Sequence, residues 1–133
     1  MDRHDFSSYF HLNSPVSAGE IAGAEIALGF SLPESYIALL KVTDGLSCNG
    51  NLVLLEASDL ASRTSDYEVS EYLPGYLMIG DDSGGVALVM QLAGQAIYEV
   101  DMGVMDASDL RKSADSLEQL LLELAGKTLG ERR

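Results

Sequence analysis

The sequence predicts an α+β fold: N-terminal helices, then an antiparallel sheet meander, then an amphipathic C-terminal helix packed on the sheet. Three observations predict it. Helix caps and helical periodicity are concentrated near residues 17–45 and 115–126. Short apolar runs bounded by turn residues fill most of the interval between. Helices and strands do not alternate in the order that a parallel sheet requires.

Residues 1–15 show no clear period and read as a peripheral lead-in containing both histidines, His4 and His11. Ser17 followed by Glu20 is a capping box, in which each side chain satisfies a backbone N–H at a helix start. Ile21, Ala24 and Leu28 then share a face, and Gly29 supplies the left-handed residue that closes a helix. Ser31 and Glu34 repeat the box, with Pro33 in the first turn, where its missing N–H is harmless. Tyr36, Leu39, Leu40 and Thr43 form the buried side of this second helix, which Asp44 and Gly45 end.

Leu52, Val53, Leu54 and Leu55 form a short apolar run and predict a buried strand. Residues 57–62 suit a helical turn, whereas the polar stretch 63–70 supports no assignment. Runs at 76–79, 86–90 and 96–100, separated by glycine-rich turns, predict an antiparallel meander. Leu117, Leu120, Leu121 and Leu124 follow the i, i+3, i+4, i+7 pattern of a helix. Asp115 and Glu118 are its expected box and Gly126 its stop.

A chain of 133 residues suits a single domain, residues 1–133, with a core spanning about 17–126. With 47% hydrophobic and 22% charged residues, the composition is that of a chain that folds without a partner. Cys48 is the single cysteine, which excludes an intrachain disulfide and multi-cysteine zinc sites. No apolar run approaches the roughly 18–20 residues of a membrane span. The acidic start, with Asp2 and Asp5, lacks the layout of a signal peptide, so the expected location is cytoplasmic.

The formal charge is −13, and its distribution says more than its sum. No Lys or Arg occurs from Thr64 to Leu110, while Asp66, Glu68, Glu71, Asp81, Asp82, Glu99, Asp101, Asp106 and Asp109 all do. An anionic surface of this kind repels phosphate backbones and anionic lipid and steers cationic partners toward it. Neither nucleic acid nor membrane is therefore an expected partner.

The chemistry-bearing candidates are weaker. Asp82, Ser83, Gly84 and Gly85 look like a serine-nucleophile loop, but a nucleophilic serine needs a positioned base, and both histidines lie near the N-terminus. Asp81 and Asp82, joined by Asp101 or Asp106, are oxygen ligands of the type that hold Ca²⁺ or Mg²⁺, yet a calcium loop starting at Asp81 would need Glu where Leu92 stands. The glycine-rich turn at 80–85 has no Lys and opens no helix, unlike a phosphate loop. Paired carboxylates for glycoside hydrolysis lack the aromatic cleft that such work needs. Cys48 beside Asn49 and Gly50 has no base in view and reads as incidental. The expectation is no metal, no cofactor and no catalytic residue. Tyr36 and Tyr76 read as core; Tyr67, Tyr72 and Tyr98 lie among acids, where tyrosine serves as an interface anchor.

Leu32, Pro33, Glu34 and Tyr36, then Asp44 and Gly45, then Ile79, Gly80, Asp81, Asp82, Ser83, Gly84 and Gly85, and finally Ser116, Leu117, Leu120 and Leu121, occur in an order that resembles the SUKH superfamily, in its cell-wall-assembly-regulator branch. The likeness extends from about Glu20 to Leu124, with Asp44 standing where the family usually has Asn. The resemblance implies a non-enzymatic binding domain, in bacteria frequently an immunity protein that neutralises a secreted toxin, often a nuclease. The expected partner is then a basic toxin domain, met by Asp81, Asp82, Tyr98, Glu99, Asp101 and Asp106. A regulatory scaffold for a cellular protein is the alternative, with a metal- or serine-dependent enzyme behind both.

Overall fold

A computed structural model describes residues 1–132. Its strands are β1 (Phe10–Leu12), β2 (Leu46–Cys48), β3 (Val53–Leu54), β4 (Tyr76–Asp81), β5 (Val86–Gln91), β6 (Ile97–Asp101) and β7 (Arg111–Ala114). They form one seven-stranded antiparallel sheet in which spatial order follows chain order. Helices α1 (Ala18–Leu28) and α2 (Glu34–Leu40) lie between β1 and β2, and α3 (Ala57–Asp66) and α4 (Val69–Tyr72) between β3 and β4. The fold is α+β, as the sequence predicts.

The first helix forms as its caps dictate. Ser17 and Glu20 bond each other's backbone N–H groups, and Gly29 closes the helix in the left-handed region. The expected Ser31–Glu34 box does not form, because the helix starts at Glu34 and Pro33 occupies the N-cap, leaving Ser31 out of reach. Distant side chains take its place: Gln95 accepts from the Ser35 N–H at 2.9 Å, and Glu25 accepts from the Leu32 N–H at 2.7 Å. The buried face is the expected one, with Tyr36, Leu39, Leu40 and Thr43 all inaccessible.

The structure departs from the expectation in three places. The lead-in is not wholly peripheral: Phe10 pairs opposite Cys48 and is buried, making β1 an edge strand. Residues 63–70 are largely helical, since Ala57, Leu60 and Thr64 recur at helical spacing with a threonine in an apolar position. At the C-terminus, Leu117, Leu120 and Leu121 are buried as expected, but Gln119–Glu123 winds as a π-helical turn packed against β7. Its cap is Ser116, whose hydroxyl accepts from the Gln119 N–H at 3.0 Å, while Gln119 accepts from the Asp115 N–H at 2.6 Å. Asp115 lies one residue too early to cap and pairs with Lys112 instead.

Consecutive residues Leu77, Met78 and Ile79 of β4, and Ala87, Leu88, Val89 and Met90 of β5, are inaccessible, so both faces of the central strands are covered. That explains why these strands read as unbroken apolar runs rather than as alternations. Helices α3 and α4 both pack on β4. Cys48 is buried, its thiol donating to the Leu52 carbonyl.

The segment between β3 and α3 is held from three directions. The buried Tyr36 phenol donates to the Leu55 carbonyl at 2.6 Å, and burial, with Asp44 nearby, keeps its pKa well above the ordinary tyrosine value. Asp44 accepts from the Ala57 N–H at 2.8 Å, capping α3 in place of Glu56, whose side chain makes no cap bond. Gly45, at φ +68°, lies so close that a Cβ would stand 2.6 Å from the Leu54 carbonyl oxygen and 2.9 Å from the Glu56 nitrogen.

Tyr36→Phe is expected to lower unfolding stability by about 1–3 kcal/mol in urea titration, because a buried carbonyl loses its donor. Gly45→Ala should cost about 3 kcal/mol or more, since backbone must move as well as φ. Gly29→Ala, also at positive φ but facing open space, should cost only about 1 kcal/mol.

Candidate protein-interaction surface

Asp81, Asp82 and Asp101 come together at one end of the sheet, because β4 and β6 finish where β5 begins. Asp81 pairs in register with Ala87, and Asp101 with Val86. The Met102 N–H donates to the Gly85 carbonyl at 2.8 Å and ties the chain after β6 to the β4–β5 turn.

Each aspartate is built into a turn. Asp82 accepts from the N–H groups of Gly84 at 2.9 Å and Val86 at 3.1 Å, closing the β4–β5 hairpin. Asp101 is exposed and accepts from the Gly103 N–H at 2.7 Å. Asp106, also exposed, accepts from both the N–H and the hydroxyl of Ser108, which hold its carboxyl below the usual pKa. A carboxylate bound through one oxygen to backbone N–H keeps its charge and loses rotational freedom, so these charges point in set directions.

Asp81 differs. It is largely buried, accepts from the Ser83 N–H at 2.8 Å, and forms an ion pair with Arg63 of α3 at 2.9 Å. With both partners shielded by more than two thirds, this pair locks α3 to the hairpin and removes one negative charge from the surface. Arg63 also lies over the Tyr67 ring, 5.7 Å from its centroid.

Glu99 does not belong to the surface. It is 2% exposed, and its Oε2 accepts from the Ser113 hydroxyl at 2.7 Å and the Leu129 N–H at 2.8 Å. Arg132 donates to the same Ser113 hydroxyl at 2.7 Å. Acidity in the sequence suggests exposure; the pairing of β6 with β7 and the return of the C-terminal turn bury this residue. Tyr98 is half-buried, edge-on to Tyr76 with ring centroids 5.8 Å apart and Lys112 opposite it. The large exposed apolar side chains are instead Ile26, Tyr72 and Val104. Val104 and Arg63 carry no sequence signal for their roles, since one depends on loop exposure and the other on a contact between distant segments.

The serine-nucleophile reading of the hairpin does not fit its geometry. Ser83 sits at φ 64°, and its hydroxyl donates to the Asn51 carbonyl at 2.8 Å, which commits the oxygen to joining the hairpin to the β2–β3 connection. His11 is exposed and bonded to Asn49 at 2.7 Å. Among the described residues, no group of three or more His, Cys, Asp or Glu is arranged to hold a metal ion, and no helix is long and apolar enough to cross a membrane. Convergent charge at the end of a rigid sheet can instead orient a cationic macromolecule.

The model of the SMI1 / KNR4 family (SUKH-1) matches residues 15–123, from just before α1 to the end of the C-terminal π-helical turn. The chain belongs to that family. No curated protein matches it.

Glu99→Ala should reduce stability by about 1–3 kcal/mol, by orphaning the Ser113 and Leu129 donors, with Glu99→Gln milder because it retains an acceptor oxygen. Guanidinium denaturation checks both. Ser108→Ala should raise the Asp106 pKa toward the ordinary carboxylate value in an NMR titration. Because the folded pKa is depressed, the stabilisation from Asp106 is present above its unfolded pKa and lost as pH falls through the folded one.

Proposed function

We propose that this SUKH-1 member is a non-enzymatic protein-binding domain, and specifically a cytoplasmic immunity protein that covers the basic surface of a cognate toxin. The observation that carries this reading is the convergence of Asp82, Asp101 and Asp106 around one end of the sheet, in a stretch from 64 to 110 without a Lys or Arg. Family membership supplies the class of function, and charge supplies the kind of partner.

A toxin that cuts nucleic acid must bind a polyanion and therefore presents a basic cleft. An acidic protein that occupies such a cleft competes directly with substrate. Long-range attraction between the two surfaces speeds their encounter and is weakened by salt. The same acids disfavour nucleic acid and anionic membrane as partners of this chain. The Asp81–Gly85 loop weighs against a hydrolytic role, since the Ser83 hydroxyl is committed to the Asn51 carbonyl and Asp81 to Arg63.

Lysine substitutions at 81 and 82 would not isolate the charge, because Asp81 is the partner of Arg63 and Asp82 closes a turn. Asparagine preserves the turn acceptor while removing the charge. A tagged chain is used to capture its partner from the source organism's lysate, with stepwise salt elution and mass spectrometry. A basic toxin domain recovered near one-to-one and released by salt is the expected result. With that partner, the triple variant Asp82→Asn, Asp101→Asn, Asp106→Asn should associate about tenfold more slowly and show a flatter salt dependence, with its melting temperature little changed. Recovery of a host regulatory enzyme alone would favour a scaffold role, and unchanged association kinetics would remove these aspartates from the interface.

A further inference from the structure

The exposed apolar residues are not scattered. Tyr72, 54% exposed, and Val104, 51% exposed, line the same surface depression of about 380 Å³, although they lie on α4 and on the β6–β7 connection. Asp66, Tyr67 and Glu68, from the corner between α3 and α4, line it on one side, and the buried Met105 lines it beside Val104. Val104 also borders an adjoining depression together with Asp101 and Asp109. Two large apolar groups thus stand among carboxylates from two parts of the fold.

Both walls are held in place before any ligand arrives. Glu68 and Met105 occupy the left-handed region, at φ 52° and 44°, where side-chain-bearing residues are uncommon. The Glu68 carbonyl accepts from the Tyr72 N–H, and the Asp101 carbonyl accepts from the N–H groups of Val104 and Met105. A surface fixed in this way loses little entropy on binding.

The geometry points to this depression as the docking site for a Lys- or Arg-bearing segment of a protein partner, its charged head between Asp66 and Glu68 and its aliphatic stem or apolar neighbour against Tyr72 and Val104. Charge complementarity selects that occupant. Asp66 and Glu68 are both exposed and disfavour any anionic ligand, while a cation gains from them and from the Tyr72 ring face. An exposed tyrosine in a concave setting is also the residue type that most often anchors a protein interface. This site rests on the protein-binding reading above and names where the strongest contact would fall, beside the aspartates at the sheet end that guide the approach.

The test has two arms, both on the full chain. In the first, ¹⁵N-labelled protein is titrated with a synthetic peptide of alternating Arg and Leu, and with its Glu–Leu counterpart. Amide shifts should concentrate at residues 66–72 and 102–106 with the basic peptide alone, shrink with added salt, and vanish in Tyr72→Ala/Val104→Ser. Shifts centred on the Asp82 hairpin, spread evenly over the acidic surface, equal for the two peptides, or retained in the double variant would overturn the proposal. In the second arm, the toxin captured from lysate should bind the double variant at least tenfold more weakly, whereas Ile26→Ser, at an exposed apolar residue on α1, leaves affinity intact. Unchanged toxin affinity in the double variant overturns the site and leaves the immunity reading standing. Failure to recover any toxin removes the immunity reading, while the peptide arm still decides the site.

Discussion

The hydrogen bond from the buried Tyr36 phenol to the Leu55 carbonyl is the constraint on which the arrangement of the surface depends. It fixes α2 to the point where β3 gives way to α3. Gly45 presses against the same segment, and Asp44 caps α3 from thirteen residues upstream. One group from the first turn of α2 and two from the turn that follows it therefore launch α3. Because α3 leaves this point in a set direction, Arg63 meets Asp81, and the α3–α4 corner comes to rest near the connection between β6 and β7.

The carboxylates divide into two populations with different physical duties. Glu99 is buried and serves the fold, accepting from Ser113 and the backbone of Leu129. Asp81 is partly shielded and is matched by Arg63. Asp82, Asp101 and Asp106 carry out both tasks at once: one oxygen terminates a turn, and the charge stays near the solvent. Folding has thus already restricted these side chains. The net charge of −13 overstates the anionic surface and understates its order.

The residues that carry the sequence resemblance to the family are chiefly architectural. Tyr36, Asp44 and Gly45 brace the β3–α3 segment, and the glycine-rich turn after β4 is closed by its own aspartates and by Ser83 reaching Asn51. Tyr72 and Val104, the exposed apolar residues of the depression, lie outside this set. A change at Tyr72 or Val104, both exposed, perturbs little of the core.

The sequence by itself determined the fold class, α1, the buried face of α2 and the three long strands, because these depend on local caps, turns and periodicity. It also determined that the middle of the chain is anionic. The short edge strands β1 and β7 escaped it, since three or four residues carry too little pattern and are strands only by virtue of their pairing partners. The C-terminal cap was misplaced by one residue for a related reason: Asp115 and Ser116 can both cap, and the packing of the following leucines decides which one does. Tertiary structure alone sent Glu99 inward, matched Asp81 with Arg63 and placed Tyr72 and Val104 around one depression. Each of those outcomes depends on contacts between distant segments. A residue type states what a side chain can do, but only its neighbours in space decide whether it meets water, a counter-charge or a partner.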